Sequence, residues 1–232
     1  IDVAAVIVEP IAANMGLVPP APGFLEGLRE ACTKVGALLI FDEVITGFRV
    51  GRGGASAVLG VVPDLWCFGK VVGGGLPLAA FGGRRAVMDE LAPVGPVYQA
   101  GTLSGNPVAT AAGLACLSLL DDAEYKELAT FAGRLGAGLA SAGADAGLEL
   151  QVPVVGPLIG MFFGCSVVRD YQGARASAGT GLYPPVMRGL LGRGVAIAPG
   201  PYEVLFPSLA HGEAELERTV GAFSEVARGL AA

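Results

Sequence analysis

The run ALLIFD (37–42) is five apolar residues closed by an acid, and the residues before it repeat the same grammar. Upstream, AAVIVE (4–9) is a β-branched run stopped by Pro10, which predicts a buried strand. Between the two, Phe24, Leu28, Cys32 and Val35 recur at helical spacing, with Pro22 and Gly23 ahead of them and Gly36 behind. Strand, helix, strand in so short a span predicts a right-handed βαβ unit and a parallel sheet, because parallel neighbours need a crossover connection.

The pattern continues outward. DLWCFG (64–69) predicts a third strand ending at Lys70, and residues 78–82 predict a fourth. Gly73, Gly74 and Gly75 lie between them and are too flexible for regular structure. Asn106 and Pro107 open a helix running to 120, since Asn caps well and Pro fits the first helical position. A second helical stretch follows over about 121–142. Then the style changes: residues 148–155 and 158–167 look like strands of a smaller sheet, 181–191 a helix and 195–198 a short strand. The last helix carries Leu216, Val220, Phe223, Val226 and Leu230 on one face. The expected class is α/β, with residues 1–124 forming part of a large domain and 125–232 a smaller α+β domain.

Composition bounds the function. With 232 residues, 53% hydrophobic and only 16% charged, the chain can bury a core. A net charge of −6 argues against nucleic-acid binding, which needs a basic face, and against attachment to anionic membranes. Cys32, Cys67, Cys116 and Cys165 are far apart, with no CxxC pair and no histidine beside them. They read as free thiols in a reducing compartment, the cytoplasm, and no metal site is expected. No apolar run reaches membrane-spanning length and no basic leader precedes an apolar stretch. The opening Ile1-Asp2, followed at once by a strand, reads as a start inside a domain.

Two polar residues stand at the C-terminal ends of apolar strands, Asp42 and Lys70. Open α/β sheets bind ligands outside those ends. The pair could be a plain salt bridge. It could also grip a pyridoxal ring, with the lysine joined to the aldehyde and the acid keeping the ring nitrogen protonated, so that the ring accepts electrons from a departing proton's carbon.

The wider wording bears on that choice. VEPIAANMG (8–16), ALLIFDEVITGFR (37–49), PDLWCFGKVVGGGLP (63–77) and VYQAGTLSGNP (97–107) occur in this order. Together they resemble class III, fold-type I aminotransferases, and among these the glutamate-1-semialdehyde aminomutase type. The likeness covers nearly all of the chain, including PGPYEVLFPSLAH (199–211), and corresponds to roughly the second half of such enzymes. It implies a pyridoxal phosphate and pyridoxamine phosphate enzyme that moves an amino group within glutamate-1-semialdehyde to give 5-aminolevulinate for tetrapyrrole synthesis. Lys70 would be the Schiff-base lysine and the general acid/base. Asp42 would hold the pyridine nitrogen, and Val44 would pack on one face of the ring. Asn14 would lie near the ring's phenolic oxygen and the substrate. Thr102 would meet a cofactor phosphate belonging to a partner subunit, so the site needs a homodimer. Glu203 would face the small-molecule substrate.

Each residue also has a plainer reading. Val44 fits a core, Thr102 a turn with a local hydrogen bond, Glu203 a solvated loop, and Asn14 a turn before Gly16. His211, the lone histidine, reads as a structural residue at a helix start. The Gly73–Gly75 run is not a phosphate loop, because Lys70 precedes the glycines. Two departures from the resemblance concern substrate choice: the bulk of Trp66, and the segment PYEVLFPS (201–208) around Glu203. The phosphate cup, ring-stacking aromatic and lid of such enzymes have no counterpart in this chain. The rivals are a class III aminotransferase for an ω-amine or another amino acid, and an inactive fragment.

Overall fold

Four strands build the sheet that carries the candidate residues: β1 (Ala5–Val8), β2 (Leu38–Glu43), β3 (Leu65–Phe68) and β4 (Ala80–Gly83), side by side in that order. The computed structural model describes residues 2–165 and 167–231. Its residues cluster into two compact units, the first comprising Ile1–Pro10 and Pro20–Asp122. In the first unit β1, β2 and β3 are parallel, as expected of a βαβ start, but β4 runs antiparallel to β3. The opening unit is parallel, and the sheet becomes mixed at β4, for whose direction the sequence carries no expectation. Instead of a crossover, a one-turn 3-10 helix (Lys70–Gly73) and the glycines after it return the chain. Gly73, expected in irregular structure, closes that turn.

Strand parity decides what each face does. Along β2, Leu39, Phe41 and Glu43 are buried, while Leu38, Ile40 and Asp42 point the other way and are partly exposed. Leu39 and Phe41 pack with Leu25 and Cys32 of α1 (Phe24–Val35), and Val6, Val8 and Trp66 join them from the flanking strands. Each such buried aliphatic side chain contributes roughly 1.5–3 kcal/mol. Helix α1 stops at Gly36, whose φ of 74° lets its N–H turn back onto the Cys32 carbonyl.

Asp64 sets the register of this layer. It accepts the Leu39 N–H at 2.8 Å and pairs with Arg29 at 2.7 Å and Arg84 at 2.9 Å. Burial alone would raise its carboxyl, but these three donors outweigh it and hold the pKa down at about 2. The first unit adds α2 (Gly54–Leu59), α3 (Arg85–Met88) and α4 (Pro107–Ser118). The Asn106 side chain caps α4 by accepting the Val108 and Ala109 N–H groups, both at 3.1 Å. Helix α4 lies close on the 3-10 turn, where Gly113 faces the Val72 carbonyl.

The second unit comprises Ile11–Pro19 and Ala123–Ala232. The chain passes between units at 122–123, near the expected division after 124, but segment 11–19 clusters with the second unit, which its sequence did not announce. Leu17 is fully buried against Gly160, and Gly16 lies under the Phe162 ring and donates its N–H to the Tyr202 carbonyl at 2.7 Å. Helices α5 (Asp122–Asp145), α7 (Tyr183–Leu191) and α8 (Glu213–Ala231) surround a core of Leu135, Leu139, Phe163, Val186, Leu190 and Phe223, while α6 (Tyr171–Gly179) places Ala174 in a separate cluster with Val18, Phe162 and Val168.

The two long strands expected over 148–167 are cut short. β5 (Leu150–Gln151) pairs with β8 (Phe162–Phe163), and β6 (Val154–Val155) with β7 (Leu158–Ile159), all antiparallel. Pro153, Gly156 and Pro157 interrupt the run, as residues without a ladder donor or with φ > 0 do. Ser166, inside the expected second strand, lies outside the described residues, as does Ile1. The strand expected over 195–198 does not form; the segment has no ladder partner among the described residues. No helix among the described residues is long and apolar enough to cross a membrane.

Candidate active site

Asp42 is the penultimate residue of β2 and sits opposite Cys67 of β3. Lys70 follows three residues later, immediately after Gly69. The two parallel strands therefore deliver a carboxylate and an amine to the same rim of the sheet, at neighbouring strand ends. Asp42 Oδ1 accepts the Val44 N–H at 3.0 Å, which turns the carboxylate over the strand end. Burial pushes the Cys67 thiol up and the Asp42 charge adds to it, as expected for side chains sharing one face of the sheet.

Lys70 is exposed and adopts φ 49°, a left-handed conformation that costs a non-glycine residue roughly 1–2 kcal/mol. Its side chain makes no ion pair or hydrogen bond among the described residues, so the plain salt bridge with Asp42 is not formed. Lys70 thus presents its amine from a backbone conformation that persists only where the surrounding structure imposes it. Val44 lies alongside: a Cβ on Gly69 would stand 3.2 Å from Val44 Cγ1. Asp42, Val44 and Gly69-Lys70 are thus brought together in the first unit.

Thr102 is in the first unit too, exposed in the loop before α4. Its local hydrogen bonds were the plainer reading, yet the loop is closed by the Gly101 carbonyl and Ser104 N–H at 3.0 Å, not by Thr102. Among the described residues Thr102 makes no hydrogen bond.

Asn14 and Glu203 belong to the second unit. Asn14 is exposed in the bend between the bridge partners Ala12 and Val18. Glu203, also exposed, lines a cleft of about 620 Å3 with His211, Arg218 and Thr219 among others. Burial and the Glu203 charge together push the neighbouring Tyr183 phenol up to about 12. His211 Nδ1 accepts the Ser208 N–H at 2.9 Å and its ring leans on Phe131, closing the turn before α8.

Trp66 requires a correction. Its register with Phe41 puts it on the helix-covered face, away from Asp42, where its indole N–H donates to Ser56 Oγ at 3.1 Å. It packs the sheet and does not line the Asp42 side. One residue went unnoticed in the sequence. Glu43 shares the parity of Leu39 and Phe41, which announces a buried carboxylate in need of donors, and the structure supplies three.

The model for "Aminotransferase class-III" matches residues 1–226. A glutamate-1-semialdehyde 2,1-aminomutase of Desulforapulum autotrophicum is 50% identical over 229 residues, 98% of this chain and 53% of that protein. That of Syntrophobacter fumaroxidans is 53% identical over 221 residues, 95% of this chain and 51% of that protein. The chain spans about half the length of the curated relatives it matches. Among solved structures, an omega-transaminase from Sphaerobacter thermophilus superposes with a TM-score of 0.84 at 36% identity, covering 97% of this chain and 51% of that one. A glutamate-1-semialdehyde aminomutase from Pseudomonas aeruginosa PAO1, in complex with PMP, gives 0.86 at 27% identity, covering 96% and 51%. A sheet rim bearing Asp42 and Lys70, and a family match over nearly the whole chain, lead to one conclusion: this chain belongs to the class-III aminotransferases.

Proposed function

We propose that the chain is part of a pyridoxal-phosphate-dependent glutamate-1-semialdehyde 2,1-aminomutase, converting glutamate-1-semialdehyde to 5-aminolevulinate in tetrapyrrole synthesis. The observation that carries this reading is about 50% identity to aminomutases over nearly the whole chain. The geometry supports it. An unpaired amine at Lys70, a carboxylate at Asp42 on the adjoining strand end, and Val44 beside Gly69 are the donor set and apolar wall that such a cofactor needs.

Pyridoxal phosphate supplies, when bound, an electrophilic carbon and a ring that accepts electrons from the substrate carbon. Lys70 anchors it through the amine and, when free, moves a proton at the substrate carbon as general acid/base. Asp42 holds a proton on the pyridine nitrogen, and Val44 shields a ring face from water. Thr102, exposed and without an internal partner, meets the phosphate held by a second copy of the chain, so the assembly is a homodimer. Asn14 and Glu203 orient the substrate. The compartment is the cytoplasm, consistent with four free cysteines.

Borohydride reduction of the full-length protein loaded with pyridoxal phosphate, followed by peptide mapping, should tag Lys70. Labelling at Lys34 or Lys126 instead would overturn the assignment. The 36% identity to an omega-transaminase favours a second reading, a transaminase acting on an ω-amine. That enzyme would need a keto co-substrate, which an intramolecular aminomutase does not.

A further inference from the structure

Glu43 stands next to Asp42, and nothing in the reaction above uses it. Its carboxylate is fully buried, on the face of β2 opposite Asp42. A buried carboxylate is costly unless donors surround it. Here the Thr46 hydroxyl donates at 3.0 Å, the Ala55 N–H at 2.6 Å and the Ser56 N–H at 3.1 Å. The Glu43 carbonyl also accepts the Gly47 N–H at 2.8 Å. Gly54 takes φ 63°, and a Cβ there would overlap the Glu43 carboxylate, so this corner admits no side chain. The turn after β2 is thereby tied to the segment that starts α2.

The other side of the same turn touches the strand that leads to Lys70. Val44 lies against Gly69, and a Cβ on Gly47 would stand 2.5 Å from the Phe68 ring. The Phe48 ring packs on Phe68 with centroids 5.2 Å apart, and among the described residues Phe48 is, with Lys70, the other non-glycine residue with positive φ, at 55°. One turn is therefore anchored by Glu43 on one flank and seats Phe68 and Gly69 on the other. Asp42 precedes the anchor directly, and Lys70 follows the seat directly.

We propose that Glu43 is a positioning residue: by locking the 43–48 turn it fixes the Asp42 carboxylate relative to the Lys70 amine. The proposal rests on the reading of Asp42 and Lys70 as the residues that hold pyridoxal phosphate. It acts through geometry alone, since Glu43 faces away from the rim.

The test uses the full-length protein reconstituted with pyridoxal phosphate. Glu43→Gln keeps the size but turns an amide N–H2 onto donors. Thr46→Val removes a single donor and keeps the shape, so it decides the matter if Glu43→Gln does not fold. Both should shift the midpoint pH of the lysine-bound cofactor's absorption band and lower kcat more than they change KM. For Glu43→Gln a displacement on the order of 1 Å corresponds to roughly 100-fold in kcat, with a smaller loss for Thr46→Val. Variants that melt earlier but keep the wild-type band midpoint and kcat would make Glu43 a purely structural residue and overturn the inference alone. A wild-type protein that takes up no pyridoxal phosphate overturns both the inference and the functional reading beneath it.

Discussion

Replacing Gly113 by alanine should weaken the protein, although helix propensity taken alone says the opposite. A helix-interior Gly→Ala change gains about 1 kcal/mol. At Gly113 the added methyl would overlap the Val72 carbonyl oxygen and stand 3.3 Å from Leu78 Cδ2. The obstacle is backbone and cannot swing aside, so either α4 or the 3-10 turn must shift. Overpacking of this kind costs about 1–3 kcal/mol, leaving a net loss of up to about 2 kcal/mol. At roughly 2–4 °C per kcal/mol for a domain of this size, melting should fall by up to about 8 °C. Val72 lies two residues past Lys70, so a shifted turn carries the amine with it. A displacement on the order of 1 Å corresponds to roughly 100-fold in kcat. Gly133 is the control: it is also inside a helix, exposed, with nothing within 4 Å of its added Cβ. Gly133→Ala should raise stability by about 0.5–1 kcal/mol and leave the cofactor spectrum unchanged. Thermal unfolding followed by circular dichroism, alongside the absorption of bound pyridoxal phosphate, reads both effects. If Gly113→Ala proved as stable as Gly133→Ala with an unaltered spectrum, the close approach of α4 to the Lys70 turn would be wrong.

Two further outcomes follow from groups already described. Asp64 is depressed in the folded state to about 2 from an ordinary 3.8, so its stabilisation is complete above about pH 4 and is lost as pH falls towards about 2. Because Arg84 is largely exposed, the effect is discounted to about 1–2 kcal/mol. Acid titrations of urea stability should show that limb in the wild type and not in Asp64→Asn; an unchanged limb would refute the clamp. Thr102→Val should leave melting unaltered, since the side chain has no internal partner. It should raise the pyridoxal phosphate dissociation constant about tenfold in the full-length dimer, as loss of one hydrogen bond to a charged group does. An active monomer in sedimentation would contradict the shared site.

Elements whose signal is local could be read from the chain. Helix α1 announced itself by spacing and by Gly36, and α4 by the Asn106-Pro107 pair whose cap the structure contains. Features fixed by distant partners could not. The direction of β4 is not written in its own residues; it is set by pairing with β3. Helix α2 has six residues, too few to show a period, and it is held at its start by Glu43 twelve residues upstream. The apolar run 195–198 looked like a strand because β-branched composition says nothing about whether a ladder partner exists. At the candidate site, Asp42 and Lys70 were visible as polar residues closing apolar runs. Glu43 is legible only through parity, which assigns it to the buried face of β2 although it neighbours the polar strand end. Trp66 drew notice as a departure from the resemblance, which is blind to strand parity; its register with Phe41 assigns it to the helix-covered face.

The allegiance of residues 11–19 has a practical consequence for anyone recombining relatives of this chain. A chimera spliced at 122–123 looks natural in one dimension, because the long helix α5 begins there. Yet the backbone changes allegiance three times, after residues 10, 19 and 122, so the second unit is not contiguous in the gene. A donor sequence grafted from 123 onward would arrive without its own Gly16 and Leu17. Its Phe162 and Gly160 would meet the host's version of that nonapeptide instead. Such hybrids should tolerate divergence between parents poorly unless the short stretch travels with the graft. A crossover library that inherits both pieces from the same parent should retain folded members that a single-seam library loses.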